Sequence, residues 1–356
     1  MNVGFASDLG IDFKKIMSFY QDYWSRKIAI SDNNFHQWQF QQPPANKGIN
    51  SCVTAEKDGR ILGVMGLNKR NFYLSGKVKN GAELTTWVVD PSTKGVGIKI
   101  LNFITRNFDY LIGMGISEEA LPIYLFSNFR YLRHIPRFIY PINAEKVLEI
   151  SEYTSIRHAK LLVKPAKSFN TDINHERIVW SEMKEPPFIE GNYFSRSIED
   201  LVWRYDNHPY YKYLNFKIFC KESLIGYVVL RGEITDNIKL LHVVDILGKK
   251  ESYEYSIKFI ESYAKKYGYW AVDIFSTFAP LNKYFNMRGW LSSVDSSFIN
   301  IPHLFHPLEI RNPSTTSLIY WSKNRELESY DVNDLYLTKQ DADLDRPTME
   351  YIKKIR

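Results

Sequence analysis

The chain repeats itself, and a repeat of this size constrains the architecture before any single residue is weighed. In the first copy, Ala55-Glu56-Lys57-Asp58-Gly59-Arg60 is a turn leading into the apolar strand Ile61-Leu62-Gly63-Val64-Met65-Gly66-Leu67; in the second, Lys221-Glu222-Ser223 leads into Leu224-Ile225-Gly226-Tyr227-Val228-Val229-Leu230. Both read as β-hairpins. Each is followed by a strand closing on aspartate, Thr85-Thr86-Trp87-Val88-Val89-Asp90 and Leu241-His242-Val243-Val244-Asp245, which aligns Asp245 with Asp90. The spacing of Ile98, Leu101, Ile104 and Phe108 predicts a helix over about 98–108, and that of Ile257, Ile260 and Ala264 one over about 255–267. A further strand follows each, Tyr110-Leu111-Ile112 or Trp270-Ala271-Val272-Asp273-Ile274. The copies also end alike: Tyr124-Leu125-Phe126-Ser127-Asn128-Phe129 lies opposite Phe285-Asn286-Met287-Arg288-Gly289-Trp290. Each is a short helix closed by Asn or Gly, which tolerate the left-handed conformation at a helix C-terminus, and then an aromatic ring. The shared order predicts an α/β (α+β) fold of two tandem units, each a mixed sheet flanked by helices.

A length of 356 residues suits two domains, expected at 1–165 and 166–356, with Lys164-Pro165-Ala166-Lys167-Ser168 and Glu185-Pro186-Pro187 in the connecting region. The tail after about Glu326 is polar. Asp341-Ala342-Asp343-Leu344-Asp345-Arg346-Pro347 is not a calcium loop, because Arg346 replaces the required glycine and Ile352 the closing glutamate; it is expected to be a solvated turn. Hydrophobic residues at 44% and charged residues at 24% exclude a disordered or fibrous chain. No run of about 18 apolar residues and no basic leader is present, so a cytoplasmic protein off the membrane is expected. Cys52 and Cys220 cannot build a zinc site or a disulfide framework, and no metal is expected. A net charge of +6 favours anionic ligands mildly, but the basic residues are scattered and form no nucleic-acid-binding block.

Only the first copy carries Pro91-Ser92-Thr93-Lys94-Gly95-Val96-Gly97-Ile98, a glycine loop between a strand and a helix. Paired glycines let backbone approach a ligand, and the helix start offers free N–H groups to a pyrophosphate, with Lys94 and Lys99 adding charge. A plain turn and helix cap would also account for it. The loop lacks the third glycine of a dinucleotide fingerprint and the Gly-Lys-Ser/Thr of a P-loop.

Asp90-Pro91, then Lys94-Gly95-Val96-Gly97 opening a helix, then Tyr124 five residues before Phe129, resemble the GNAT acyltransferase superfamily over about residues 50–140, with a weaker echo over 215–290. The family's loop is Gln/Arg-x-x-Gly-x-Gly/Ala; Ser92 stands where Gln or Arg is expected, which removes one side-chain contact and leaves the backbone cradle. The resemblance implies a sheet in which two parallel strands splay to admit the pantetheine arm of acyl-CoA. Val88 and Val89 would offer backbone groups to it, Lys94, Gly95, Val96, Gly97, Ile98 and Lys99 would surround the pyrophosphate, and Tyr124 would protonate the departing thiolate. The second copy has no glycine pair after Asp245, and Phe285 replaces the tyrosine, so it is a degenerate unit expected to hold the acceptor.

Transfer to an amine also needs a base, and a buried carboxylate is a better match than an exposed one. Glu83 is the first candidate, its alternative an exposed strand-edge charge; Asp90 is the second, its alternative a turn cap. The alternative for Tyr124, where position and chemistry agree, is a packed core residue. Arg204, flanked by Trp203 and Tyr205, is a candidate wall for a nucleotide or sugar phosphate, or an amphipathic helix end; Asp245 is a further candidate for the acceptor side. His208 reads as structural. Tandem members of the superfamily that acylate dTDP-linked amino-dideoxy sugars are the nearest resemblance, as with the acyltransferase that completes anthrose, implying a nucleotide-sugar acceptor and a monomer or homodimer. A non-catalytic acyl-CoA sensor and an aminoacyl-tRNA-dependent ligase are the alternatives; the latter would need a basic track for tRNA, which the sequence lacks.

Overall fold

The computed structural model describes the chain except residues 25–27, 153–172, 236, 295–299, 307, 311–314 and 342–344. The connecting segment expected at 164–168, and with it the 165/166 division, lies outside the described residues. The first copy comprises β1 (Asn2–Phe5), α1 (Phe13–Tyr23), α2 (Asn33–Phe40), β2 (Val53–Lys57), β3 (Arg60–Leu74), β4 (Lys77–Val89), α3 (Val96–Asn107), β5 (Tyr110–Met114), α4 (Leu121–Phe126) and β6 (Arg130–Leu132). There follow β7 (Arg137–Pro141), α5 (Ala144–Glu149), β8 (Ile173–Arg177), β9 (Asn192–Phe194) and α6 (Ile198–Leu201). The second copy comprises β10 (Leu214–Cys220), β11 (Ser223–Thr235), β12 (Ile238–Gly248), α7 (Lys250–Lys266), β13 (Ala271–Phe275), α8 (Ala279–Met287) and β14 (Leu291–Ser292). The chain ends through β15 (Leu304–Phe305), β16 (Leu308–Glu309), β17 (Leu318–Ser322), β18 (Leu335–Tyr336) and α9 (Met349–Ile355).

The repeat is real at the level of hydrogen bonds. Hairpin β2–β3 turns through Asp58 and Gly59, both at positive φ, which suits the right-handed twist of the strands. At the ends of α4 and α8 the same bonds recur: Phe129 N–H to Tyr124 C=O and Trp290 N–H to Phe285 C=O, each 3.0 Å, with Asn128 (φ 62) and Gly289 (φ 76) between. The predicted helix faces hold in part: Leu101, Ile104, Ile257, Ile260 and Ala264 are fully buried and Phe108 is buried just past the end of α3, but Ile98 is only half-buried. Each of the buried Leu and Ile side chains contributes about 1.5–3 kcal/mol.

Two features depart from the sequence reading. The main sheets run β1-β2-β3-β4-β5-β17-β6 and β14-β7-β13-β12-β11-β10-β8. Strand β7, which follows the first copy, therefore sits between β13 and β14 of the second sheet, and β17, which follows the second copy, sits between β5 and β6 of the first. Strands β9 and β18 also join the first sheet, β9 alongside β3 and β18 alongside β9. The first sheet thus takes three strands from the later part of the chain and the second takes β7 from the earlier part, so neither sheet is complete within its own half. The second departure is the register of the repeat. Met65 faces Trp87 and Gly66 faces Thr85, leaving Thr86 as a bulge; Val229 faces Asp245 and Leu230 faces Val243, leaving Val244 as the bulge. Counted from the bulge, Asp245 corresponds to Trp87 and Gly248 to Asp90, so the expected match of Asp245 with Asp90 is corrected by three residues.

Of the acidic run expected to be a solvated turn, residues 342–344 lie outside the described residues, and the aspartates on either side of them are buried. Asp341 and Asp345 are 1% and 2% exposed and lie in a polar junction between the two sheets. Arg196 binds Asp341 at 2.6 Å, and Arg231 binds Asp345 at 2.8 Å. Burial of each carboxylate is tolerable because a guanidinium meets it.

Candidate active site

The first sheet opens where β4 outruns β5. The two strands pair in parallel only from Gly81 with Tyr110 to Leu84 with Gly113, whereas β4 continues to Val89. Thr85 to Val89, including the expected Val88 and Val89, thus have a strand on the β3 side alone. The opening begins at the bulge, where Thr86 has φ 40, a costly conformation for a β-branched residue. The Tyr20 hydroxyl donates to the Thr86 carbonyl at 3.0 Å, and Gly66 leaves room opposite: a Cβ there would lie 2.5 Å from the Phe40 ring and 2.7 Å from Thr86 Oγ1.

The loop leaving β4 is shaped by Asp90. Its carboxylate accepts the Ser92 N–H (2.9 Å), the Ser92 hydroxyl (2.7 Å), the Tyr23 hydroxyl (3.2 Å) and the Arg60 guanidinium (2.5 Å). Four donors occupy about all the lone-pair sites a carboxylate has. These bonds, Ser92 foremost, hold its carboxyl below the ordinary range, which makes Asp90 a turn cap and a poor base. Ser92, at the departure from the family's loop, spends its side chain on that cap. Helix α3 then starts after Gly95 (φ 73) with no side-chain cap, so the first-turn N–H groups of Val96, Gly97 and Ile98 have no partner within the helix. Lys94 and Lys99 are exposed beside them. Gly97 is glycine for a packing reason: a Cβ would lie 2.8 Å from the Trp87 ring.

Trp87 joins this loop to Tyr124. The rings meet edge to face at 5.1 Å, and the buried Trp87 Nε1–H has no hydrogen-bond partner among the described residues. Tyr124 is 3% exposed, and burial pushes its phenol above the ordinary range, so it stays protonated at neutral pH. Among the described residues, the first-turn N–H groups of α3 and the buried indole N–H have no partner, which leaves a set of free donors beside a glycine packed on the indole.

Glu83 lies on the opposite face of β4. Its neighbours Ala82 and Leu84 pack with α3 and Tyr124, so by strand alternation Glu83 points to the side of α2 and the C-terminal segment. It is 3% exposed, which removes the reading of an exposed edge charge. Arg70 Nη1 donates to it at 2.6 Å and Asn68 Nδ2 at 3.3 Å. Burial pushes its carboxyl up to about 8, Arg70 opposing and Asp341 reinforcing. A small, partly open cavity of about 20 Å³ adjoins it, lined among others by Trp38, Gln39, Asn68, Trp203, Arg204 and Gln340.

The three residues expected on the acceptor side separate. A turn of π-helix over Val202–Asp206 buries Trp203, Arg204 and Tyr205 in succession. Arg204 reaches the Glu83 cavity, but its guanidinium is bound by the Tyr213 hydroxyl (2.7 Å) and Asp345 (3.7 Å). Tyr205 and Asp245 lie in the next cluster instead, where Asp245 binds Arg196 (2.8 Å) and the Tyr336 (2.8 Å) and Tyr205 (3.3 Å) hydroxyls. Arg70, Asp341 and Arg196 connect this cluster to Glu83 in one chain of ion pairs.

Three solved structures share this architecture. They are a GCN5-related N-acetyltransferase from Anabaena variabilis (TM-score 0.52, 10% identity, covering 90% of this chain and 72% of that one), a probable N-acyltransferase from Enterococcus faecalis (0.53, 10%, 87% and 69%) and a GCN5-related N-acetyltransferase from Kribbella flavida (0.50, 10%, 90% and 71%). The chain has the GNAT fold. No protein-family model matches it, and no curated protein does. Among the described residues no helix is long and apolar enough to cross a membrane.

The second copy of the GNAT fold has its own splay, and the chain fills it. β12 pairs with β13 only from Leu240 to His242. Beyond that point the Tyr336 hydroxyl inserts, donating to the Ile246 carbonyl (2.5 Å) and receiving the Ile246 N–H (3.2 Å). Ile246 is the counterpart of Val88. Tyr336 carried no signal in the sequence, since its partners Asp245 and Ile246 are 91 and 90 positions away; Arg70 and Asn68 were missed although they meet Glu83 across the β3–β4 hairpin, 13 and 15 positions away.

Proposed function

We propose that the chain is an acyl-CoA-dependent N-acyltransferase with one donor site, in the first splay, and that its acceptor is the amine of a nucleotide-linked amino-dideoxy sugar of the dTDP type. The donor reading is supported by one observation: among the described residues no strand or inserted side chain pairs with Val88 and Val89 on the β5 side and the strand ends on an uncapped helix start, whereas the second splay is stoppered by Tyr336 and lacks the loop. The nucleotide-sugar reading is supported by the net charge of +6 and by the rings of Trp38 and Trp203 beside Glu83, and rests on resemblance for the rest. The unit assignments follow: residues 1–165 for the donor and 166–356 for the acceptor, with strands of each half contributing to the sheet of the other.

When bound, acyl-CoA supplies an activated acyl thioester. The first-turn N–H groups of α3, with Lys94 and Lys99, hold its diphosphate. Glu83 takes a proton from the attacking amine as the acyl C–N bond forms, and Tyr124 gives its hydroxyl proton to sulfur as the C–S bond breaks. Both side chains then reset by exchange with solvent. A carboxyl near 8 suits this duty at neutral pH better than an ordinary one.

The reading is tested by incubating the protein with acetyl-, butyryl- and 3-hydroxybutyryl-CoA and dTDP-amino sugars bearing the amine at different ring carbons, following thiol release and product mass. Sugar-dependent thiol release with an acylated nucleotide sugar is expected. Thiol release with simple amines but no nucleotide sugar would retire the sugar and keep the transferase; CoA binding without turnover would favour the sensor.

A further inference from the structure

Within β4 only Thr86 has a positive φ, and what holds it there comes from outside the sheet. At φ 40 it adopts a left-handed conformation that a β-branched side chain rarely takes. An outlier of this kind persists only where its surroundings over-determine it. Val244, the bulged residue of the second copy, is not left-handed, so a bulge at this place does not by itself demand the strain. The holding group comes from α1. That helix starts at Asp12, whose carboxylate accepts the Lys14 N–H (2.7 Å), and it buries Ile16, Phe19 and Tyr20 along one face. Tyr20 is fully buried; its hydroxyl donates to the Thr86 carbonyl at 3.0 Å and lies 3.3 Å from Thr86 Oγ1. Burial keeps the phenol well above its ordinary range, so the donor is present at neutral pH.

The strain decides which way the end of the strand faces. Leu67 is opposite Leu84, and both pack on the α3 side with Ala82 and Tyr124. Continued without a bulge, strand alternation would set Trp87 opposite Val64, on the α1 side. With Thr86 dropped from the ladder, Trp87 is opposite Met65 instead and joins the α3 side with Val89, while Val88 packs in the cluster of Tyr20 and Val64. Trp87 thereby lies against Gly97 in the first turn of α3 and meets the Tyr124 ring at 5.1 Å. In the unbulged register the indole would leave both.

We propose that Tyr20 is a positioning residue of the donor site: its hydroxyl holds Thr86 out of the ladder and so keeps Trp87 against the first turn of α3 and Tyr124. The proposal rests on the reading of the first splay as the acyl-CoA site. Tyr20 acts through the Thr86–Trp87 peptide, from a helix 66 positions earlier in the chain.

The test uses the full chain as wild type, Tyr20→Phe, Thr86→Gly and the double variant. Butyryl-CoA affinity is measured by calorimetry and amide hydrogen exchange by mass spectrometry. Glycine takes the left-handed conformation readily, so Thr86→Gly removes the strain that the hydroxyl must hold. Tyr20→Phe should weaken butyryl-CoA about tenfold, the size of one lost buried hydrogen bond. It should also speed exchange over residues 84–90 and leave residues 240–248 of the second splay unchanged. In the Thr86→Gly background the same substitution should change affinity less than about twofold, because the two residues are coupled. A thermal melt checks that each variant is folded; a Tyr20→Phe chain that folds only when residue 86 is glycine would also support the clamp. A folded Tyr20→Phe with wild-type affinity, or an equal loss of affinity or folding in both backgrounds, would overturn the proposal and make Tyr20 a core packing residue. If wild type binds no butyryl-CoA, the donor reading falls and exchange decides the clamp by itself. A rise confined to 84–90 and relieved by Thr86→Gly keeps it, and a uniform rise or none overturns it.

Discussion

The two splays differ in what occupies them, although their strands are built alike. Each has a long central strand that outruns its parallel neighbour just before a one-residue bulge, at Thr86 in one and Val244 in the other. In the first, the strand leads through Asp90 to a glycine start at α3 and leaves Trp87 Nε1 unpartnered. In the second, Asp245 occupies the place of Trp87 and is bound by Arg196, Tyr336 and Tyr205, while the Tyr336 hydroxyl satisfies Ile246. A duplicated opening either keeps its unsatisfied groups for a ligand or acquires a side chain that satisfies them, since buried polar groups cannot be left unpaired without cost.

The largest expected effect breaks the comparison at Glu83, whose counterpart in the second copy, counted from the bulge, is Leu241. Glu83→Gln should lower kcat/KM about 10²- to 10⁴-fold. The wild-type rate should rise with pH as the carboxyl loses its proton and level off above about 8, and the variant's profile should lose that limb. An unchanged limb would assign it to another group. Next, Tyr124→Phe gives the first copy the residue the second already has at Phe285. A fall in kcat of about 10²-fold with little change in acyl-CoA KM is expected, and Phe285→Tyr should gain nothing. Comparable kcat values for wild type and Tyr124→Phe would make Tyr124 a packing residue.

Tyr336→Phe sharpens the comparison from the other side. Loss of the hydroxyl leaves Ile246 and Asp245 short of partners, at a cost of about 1–3 kcal/mol, visible as a lower Tm. Acyl-CoA affinity should not move. A Tm within error of wild type would mean that the hydroxyl is not what closes the second splay.

Much of the fold was legible in the sequence because its signals are local. The Asn128 and Gly289 caps, the Asp58-Gly59 turn and the faces of α3 and α7 each depend on residues a few positions apart. The strand exchange was not legible, because Arg137-Phe138-Ile139-Tyr140-Pro141 and Leu318-Ile319-Tyr320-Trp321-Ser322 are short apolar strands that could join either sheet. The bulges deceived for a related reason: both strands read Val-Val-Asp, and the sequence pattern does not mark which residue drops out of the ladder. Asp341 and Asp345 read as solvent-exposed because acidic runs usually are; the arginines that bury them, Arg196 and Arg231, lie more than 100 positions away. At the candidate site, the glycine loop was marked by its paired glycines, Glu83 by being a carboxylate on a predicted strand, and Tyr124 by the family resemblance; their roles are proposed. The cavity beside Glu83 was invisible because Gln39, Asn68 and Gln340 converge only in three dimensions.

The most direct test of one open and one stoppered splay is the stoichiometry of acyl-CoA binding, measured by calorimetry on wild type, Lys94→Glu and Tyr336→Phe. One molecule per chain is expected, about tenfold weaker when Lys94 at the start of α3 becomes acidic and unchanged in Tyr336→Phe. Two molecules per chain, or a loss of affinity in Tyr336→Phe with none in Lys94→Glu, would contradict the assignment of the donor to the first splay.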